Sequence, residues 1–143
     1  MVSMKWPEFL EKKDILYATG TTETEARAWG DKYLEAGRFH DAVAFYTKAG
    51  YQQGLARVIE MAVEAGDFQL LEEAAGGMGE ELHQEIQRLA RRAEQLGRWC
   101  DAQRAYAYLG DDLGRRRARE AIEGLLGKRG EADPGGQAQG EGL

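Results

Sequence analysis

Residues Ala28–Gly50 read AWGDKYLEAGRFHDAVAFYTKAG. Apolar and small residues fall at Trp29, Gly30, Tyr33 and Gly37, and again at Phe39, Ala42, Val43, Tyr46 and Ala49. Both sets follow the i, i+3, i+4, i+7 spacing of one helical face. Gly37 stands between them, where a helix end requires a residue free to enter the left-handed region. The stretch therefore predicts a helical hairpin, 23–36 with 38–49, whose two inner faces meet.

The same phrase returns as AGDFQLLEEAA and LGRWCDAQRAYAYLG. The turn glycines Gly37, Gly66 and Gly97 are 29 and 31 residues apart. Two residues beyond each comes an aromatic (Phe39, Phe68, Trp99). Three further on stands Ala42, Leu71 or Ala102, and four beyond that Tyr46, Ala75 or Tyr106. A fixed period between 20 and 50 residues is the signature of a solenoid. The spacing predicts a second pair over 52–65 and 67–75, cut short by Gly76-Gly77-Met78-Gly79, because glycine holds a helix poorly. A third pair is predicted over 81–96 and 98–109. Upstream, Pro7 suits the first turn of a lead helix over 7–18, and Thr22 with Glu25 has capping-box spacing. A last helix over 111–126 is predicted to turn Ala118, Ala121, Ile122, Leu125 and Leu126 inward and to seal the open end of the stack. From 127 the chain is rich in glycine with almost nothing to bury, which predicts a disordered tail over 127–143.

This pattern resembles a tetratricopeptide repeat. Gly30 and Tyr33 fit the small and aromatic positions of that motif's first helix; Gly37, Phe39, Ala42, Tyr46 and Ala49 fit its turn and second helix. The resemblance covers about 23–110 and departs from the family in two respects. The period is about five residues short of the usual ~34, and the proline that normally follows the second helix is missing. Other α-solenoids, including those of vesicle-coat proteins, show similar strings. The resemblance implies an all-α, right-handed α-solenoid of about three hairpins over 1–126, with an N-terminal helix and a C-terminal capping helix.

Composition narrows the class. The chain has 143 residues and a net charge of −6, with 43% hydrophobic and 31% charged residues. That balance describes one helix-rich globular domain. Residues 1–80 carry 14 acids against 8 bases, whereas 88–119 carry nine arginines against Glu94, Asp101, Asp111 and Asp112. Cys100 is the sole cysteine, which excludes an intramolecular disulfide and a cysteine-based zinc site. No apolar run approaches the ~20 residues of a membrane span, and the cytoplasm is the expected compartment.

The sequence carries no catalytic or cofactor-binding pattern. His40 and His83 lie far apart on polar stretches and read as solvated. The neighbouring acids Glu72-Glu73, Glu80-Glu81 and Asp111-Asp112 point about 100° apart on a helix and do not converge. Cys100 reads as a half-buried small hydrophobe. No phosphate-binding loop is present. The expectation is a non-enzymatic protein without metal or cofactor.

The tetratricopeptide resemblance implies a protein-interaction adaptor that grips a peptide or helix on the face of its first helices. The outward positions there are Arg27, Asp31 and Glu35, then Gln53, Glu60 and Glu64, then Gln84, Gln87, Arg91 and Glu94. The acids in the first two units predict a partner with basic residues. The subtype that clamps a chaperone's terminal carboxylate uses asparagines, and this chain has none. A small secretion-type chaperone belongs to the same class. From a different class, Arg88, Arg92, Arg115, Arg116 and Arg119, with Arg91 and Arg117, read either as a solvated outer face with partners such as Glu120 and Glu123 or as a basic strip for phosphates or acidic peptides. Nucleic acid is the less favoured partner at this overall charge.

Overall fold

The computed structural model describes residues 22–78 and 82–132, with side chains through 127. Among the described residues there are seven α-helices and no strand. They are α1 (Glu23–Glu35), α2 (Phe39–Ala49), α3 (Gln52–Ala65), α4 (Phe68–Met78), α5 (His83–Leu96), α6 (Trp99–Leu109) and α7 (Asp112–Ala132). The lead helix predicted over 7–18 and the tail beyond 132 lie outside the described residues. The chain divides into two compact units. One is made of residues up to Met61 with Gln69–Leu82, the other of Ala62–Phe68 and the residues from His83 onward.

Each predicted turn is a glycine with positive φ. At Gly37 the Arg38 amide donates to Tyr33 O (2.9 Å) and the Gly37 amide to Leu34 O (3.0 Å). This crossed pair closes the orphan carbonyls of α1 as a Schellman motif. The same pair recurs at Gly66 and Gly97. At the other end of α1, Thr22 Oγ1 accepts the Glu25 amide (3.1 Å) and donates to the Glu25 carboxylate (3.3 Å).

In the first unit the core forms between α1 and α2. Tyr33 and Phe45 stack with ring centroids 5.3 Å apart, and Trp29 leans on both. Ala42, Tyr46, Leu55 and Val58 are fully buried beside them. In the second unit the core is alanine-rich: Ala62, Ala90, Ala93, Ala102, Ala105 and Ala118 are fully buried around Leu89. Such small side chains let helix axes approach closely. Gly66 needs its glycine twice over, for a φ of +67° and because a Cβ there would lie 3.0 Å from the Cα of Ala93.

The GR-aromatic-x-DA phrase has a mechanical role in this unit. Arg98 pairs with Asp101 (3.0 Å) and donates to Ala65 O (3.0 Å), while Asp101 accepts the Phe68 amide (3.1 Å). The start of α6 is thereby stitched to the turn between α3 and α4. Arg38 and Asp41 form the same i,i+3 ion pair in the first unit, at 3.0 Å.

Four expectations are corrected. First, α4 runs through Gly76 and Gly77 to Met78. Gly77 lies against Thr47 and Leu55 with no room for a Cβ, so close packing overrides poor propensity. Second, Leu82 is outside any helix and α5 begins at His83. Third, α7 continues past Leu126 to Ala132 and does not seal its apolar stripe. Ala118 is buried and Ala121 and Ile122 are half-buried, but Leu125 and Leu126 are 52% and 61% exposed. The cause is length: α7 spans 21 residues against 11 in α6. At 1.5 Å per residue its far end overhangs by about 15 Å. Fourth, Cys100 is exposed, not half-buried.

Candidate functional site

Each unit centres one polar cluster on a buried tyrosine of the second helix of its hairpin. In the first unit the Tyr46 hydroxyl donates to Asp31 (2.6 Å), whose carboxylate also faces Arg57 at 4.0 Å. Burial, and then the Asp31 carboxylate, push the Tyr46 hydroxyl well above the usual phenol range. Tyr51 meets the Tyr46 ring edge-on at 5.3 Å, and Arg27 lies over the Tyr51 ring at 4.0 Å. Arg27, Glu23, Thr24 and Tyr51 border a shallow recess of about 250 Å³.

The second unit repeats the tyrosine and the arginine of this arrangement sixty positions later, with a carboxylate, Glu94, that stands sixty-three after Asp31. The Tyr106 hydroxyl donates to Glu94, and Arg117 donates to the same carboxylate through two nitrogens at 3.0 and 3.3 Å. This pins α7 to α5 across the tyrosine. Burial and the hydrogen bond to Glu94 push the Tyr106 hydroxyl up to about 12. The hydrogen bond from Arg117 holds the Glu94 carboxyl below the usual glutamate range despite its partial burial. The same bond raises the guanidinium of Arg117. At neutral pH the cluster is therefore a neutral phenol between a fixed carboxylate and a fixed cation. Around it opens a recess of about 280 Å³ that His83, Gln87, Arg91 and Asp111 also border. It presents ready-oriented hydrogen-bonding groups to whatever enters.

Of the ten positions expected to face a ligand, Gln87, Arg91 and Glu94 are brought together in this recess, and Gln84 is exposed outside it. Asp31 and Glu94 are engaged by the protein itself. Glu64 is exposed, with Arg92 donating to its carbonyl (2.9 Å) and facing its carboxylate at 3.8 Å. Glu35, Gln53 and Glu60 are exposed. In the basic strip, Arg115, Arg116 and Arg119 converge with Gln103 and Asp112 on a recess of about 210 Å³. Arg88 and Arg92 do not border it.

The roles of Tyr46, Arg57, Tyr106 and Arg117 were not foreseen. A double-length repeat carries them: Gly37 and Gly97, Tyr46 and Tyr106, Gly54 and Gly114, and Arg57 and Arg117 each stand sixty residues apart. His40 contacts Glu73 within the first unit. Among the described residues no group of three or more His, Cys, Asp or Glu is placed to hold a metal ion, and no helix is long and apolar enough to cross a membrane.

No protein-family model matches the chain, and no curated protein or solved structure matches it.

Proposed function

We propose that this chain is a non-enzymatic interaction module built of tetratricopeptide-like helical hairpins that holds a protein or peptide partner. The observation that carries the reading is the recess around Glu94, Tyr106 and Arg117. The internal triad fixes the surrounding helices, and Gln87 and Arg91 project beside it from the first helix of the hairpin. Preorganised groups of this kind lose little entropy on binding. The exposed acids of the first unit, Glu35 and Glu60, suit a partner with basic residues.

The test is capture of partners on the immobilised full chain, followed by titration of the captured protein against wild type and Gln87→Ala with Arg91→Ala. Both side chains are exposed, so folding survives the change. Binding should weaken by about tenfold or more if these are anchor contacts. Unchanged affinity would remove the recess from the binding face.

A further inference from the structure

The α6–α7 pair carries two recesses on one side, and neither belongs to the triad-centred site. One, of about 370 Å³, is bordered by Gly97, Trp99, Cys100, Ile122, Leu125 and Leu126. The other is the arginine recess of Arg115, Arg116 and Arg119. On α7, positions 115, 119, 122 and 126 succeed one another at helical spacing, so charge and apolar surface lie along one face. On α6, Trp99 and Gln103 are one turn apart and border the two ends. Among the described residues, Leu125 and Leu126 on the overhang of α7 stay exposed. Exposed leucines grouped beside a tryptophan mark an interaction surface, where scattered ones would not.

We propose that this face docks an acidic amphipathic helix of a partner protein, with apolar anchors against Trp99, Ile122 and Leu125 and carboxylates against Arg115 and Arg119. Charge complementarity decides the occupant. Three arginines face the single carboxylate of Asp112, which pairs with Arg115 at 3.4 Å. Arg115 to Leu126 covers about 16 Å of helix axis, the length of a three-turn ligand helix. The chain's own ends offer less of this chemistry. Residues 1–21 match Glu8, Glu11 and Asp14 with Lys5, Lys12 and Lys13, and residues 133–143 hold one large apolar residue, Leu143. The apolar contacts supply affinity, and the arginines set orientation and on-rate.

Cys100 borders the apolar recess, is exposed and is the only cysteine, so its reaction with a thiol reagent reports occupancy directly. The probes are two synthetic helical peptides of about four turns with identical leucine stripes, one carrying glutamates in its other half and one lysines. The glutamate peptide should slow Cys100 modification saturably, and the lysine peptide should bind about tenfold or more weakly. Arg115→Gln with Arg119→Gln should cost about tenfold for the glutamate peptide and flatten its salt dependence. Leu125→Ser, at a half-exposed position, should weaken both peptides while leaving the circular dichroism spectrum unchanged. The proposal is overturned by equal protection from the two peptides, by no protection, or by affinities that neither variant alters. A single-stranded oligonucleotide that outcompetes the glutamate peptide would assign the arginines to nucleic acid instead. Protection of Cys100 that grows with protein concentration alone would assign the face to a second copy of the chain. The peptide comparison uses the unaltered protein, so it decides even if a variant misfolds, and it is independent of the Gln87–Arg91 test.

Discussion

Gly114 lies flat against the ring of Tyr106, so close that a Cβ there would stand 2.5 Å from the ring's Cδ1 and 2.6 Å from its Cγ. Gly54 faces Tyr46 in the same way, at 2.9 Å. In each unit the buried tyrosine occupies the volume that the next helix gives up by having no side chain. Tyr106 cannot swing aside, because Glu94 holds its hydroxyl. Gly114→Ala should therefore destabilise the protein by about 1–3 kcal/mol through overpacking, outweighing a propensity gain of about 0.5–1 kcal/mol. Chemical denaturation measures the difference.

Gly124 gives the opposite sign. It lies inside α7 and an added Cβ would meet nothing within 4 Å. Gly124→Ala should stabilise by up to about 0.5–1 kcal/mol, since only the entropy of the unfolded chain changes. A destabilised Gly124→Ala would mean that something covers this face.

The Glu94 triad makes stability depend on pH at both extremes. Glu94 has a lowered pKa in the folded state, so its contribution is present above the ordinary glutamate value of about 4.3 and is lost as pH falls through the lowered folded value. Tyr106 is raised to about 12. Its contribution is complete below the unfolded tyrosine value of about 10 and is lost as pH rises from there through about 12. In Arg117→Gln the acid-side loss should shrink, because the bond that lowers Glu94 is gone. In Tyr106→Phe the alkaline loss should shrink. Denaturation midpoints across the two windows test both, and equal slopes in wild type and variants would remove the triad as their source.

Ala42 and Ala102 hold equivalent places, and both are fully buried. Ala42→Leu and Ala102→Leu should each cost about 1–3 kcal/mol. A neutral result at either would show that its hairpin can open to admit a larger side chain.

Thr22→Ala removes the acceptor for the Glu25 amide and should cost about 1 kcal/mol. Thr22→Asn should restore most of it. Thermal melts of the three proteins separate the cap from any other role of the hydroxyl.

The sequence by itself determined the helices, their turns and most of the buried face. These are local properties: a helical stripe shows in its own spacing, and a glycine that must take positive φ is required within one turn. Gly37, Gly66 and Gly97 could thus be placed without a structure, and so could the Thr22 cap and the buried alanines. The tertiary structure alone decided what depends on distances between helices. Gly76 and Gly77 break helices by propensity, yet α4 passes through them, and Gly77 packs so closely on Thr47 and Leu55 that no side chain would fit. Glu94 read as a ligand-facing acid, but Arg117, twenty-three residues away, and Tyr106 converge on it. Leu125 and Leu126 carry the periodicity of a core stripe and are exposed, because burial depends on the length of the partner helix. Periodicity gives the direction in which a side chain points; only packing sets what stands there to meet it.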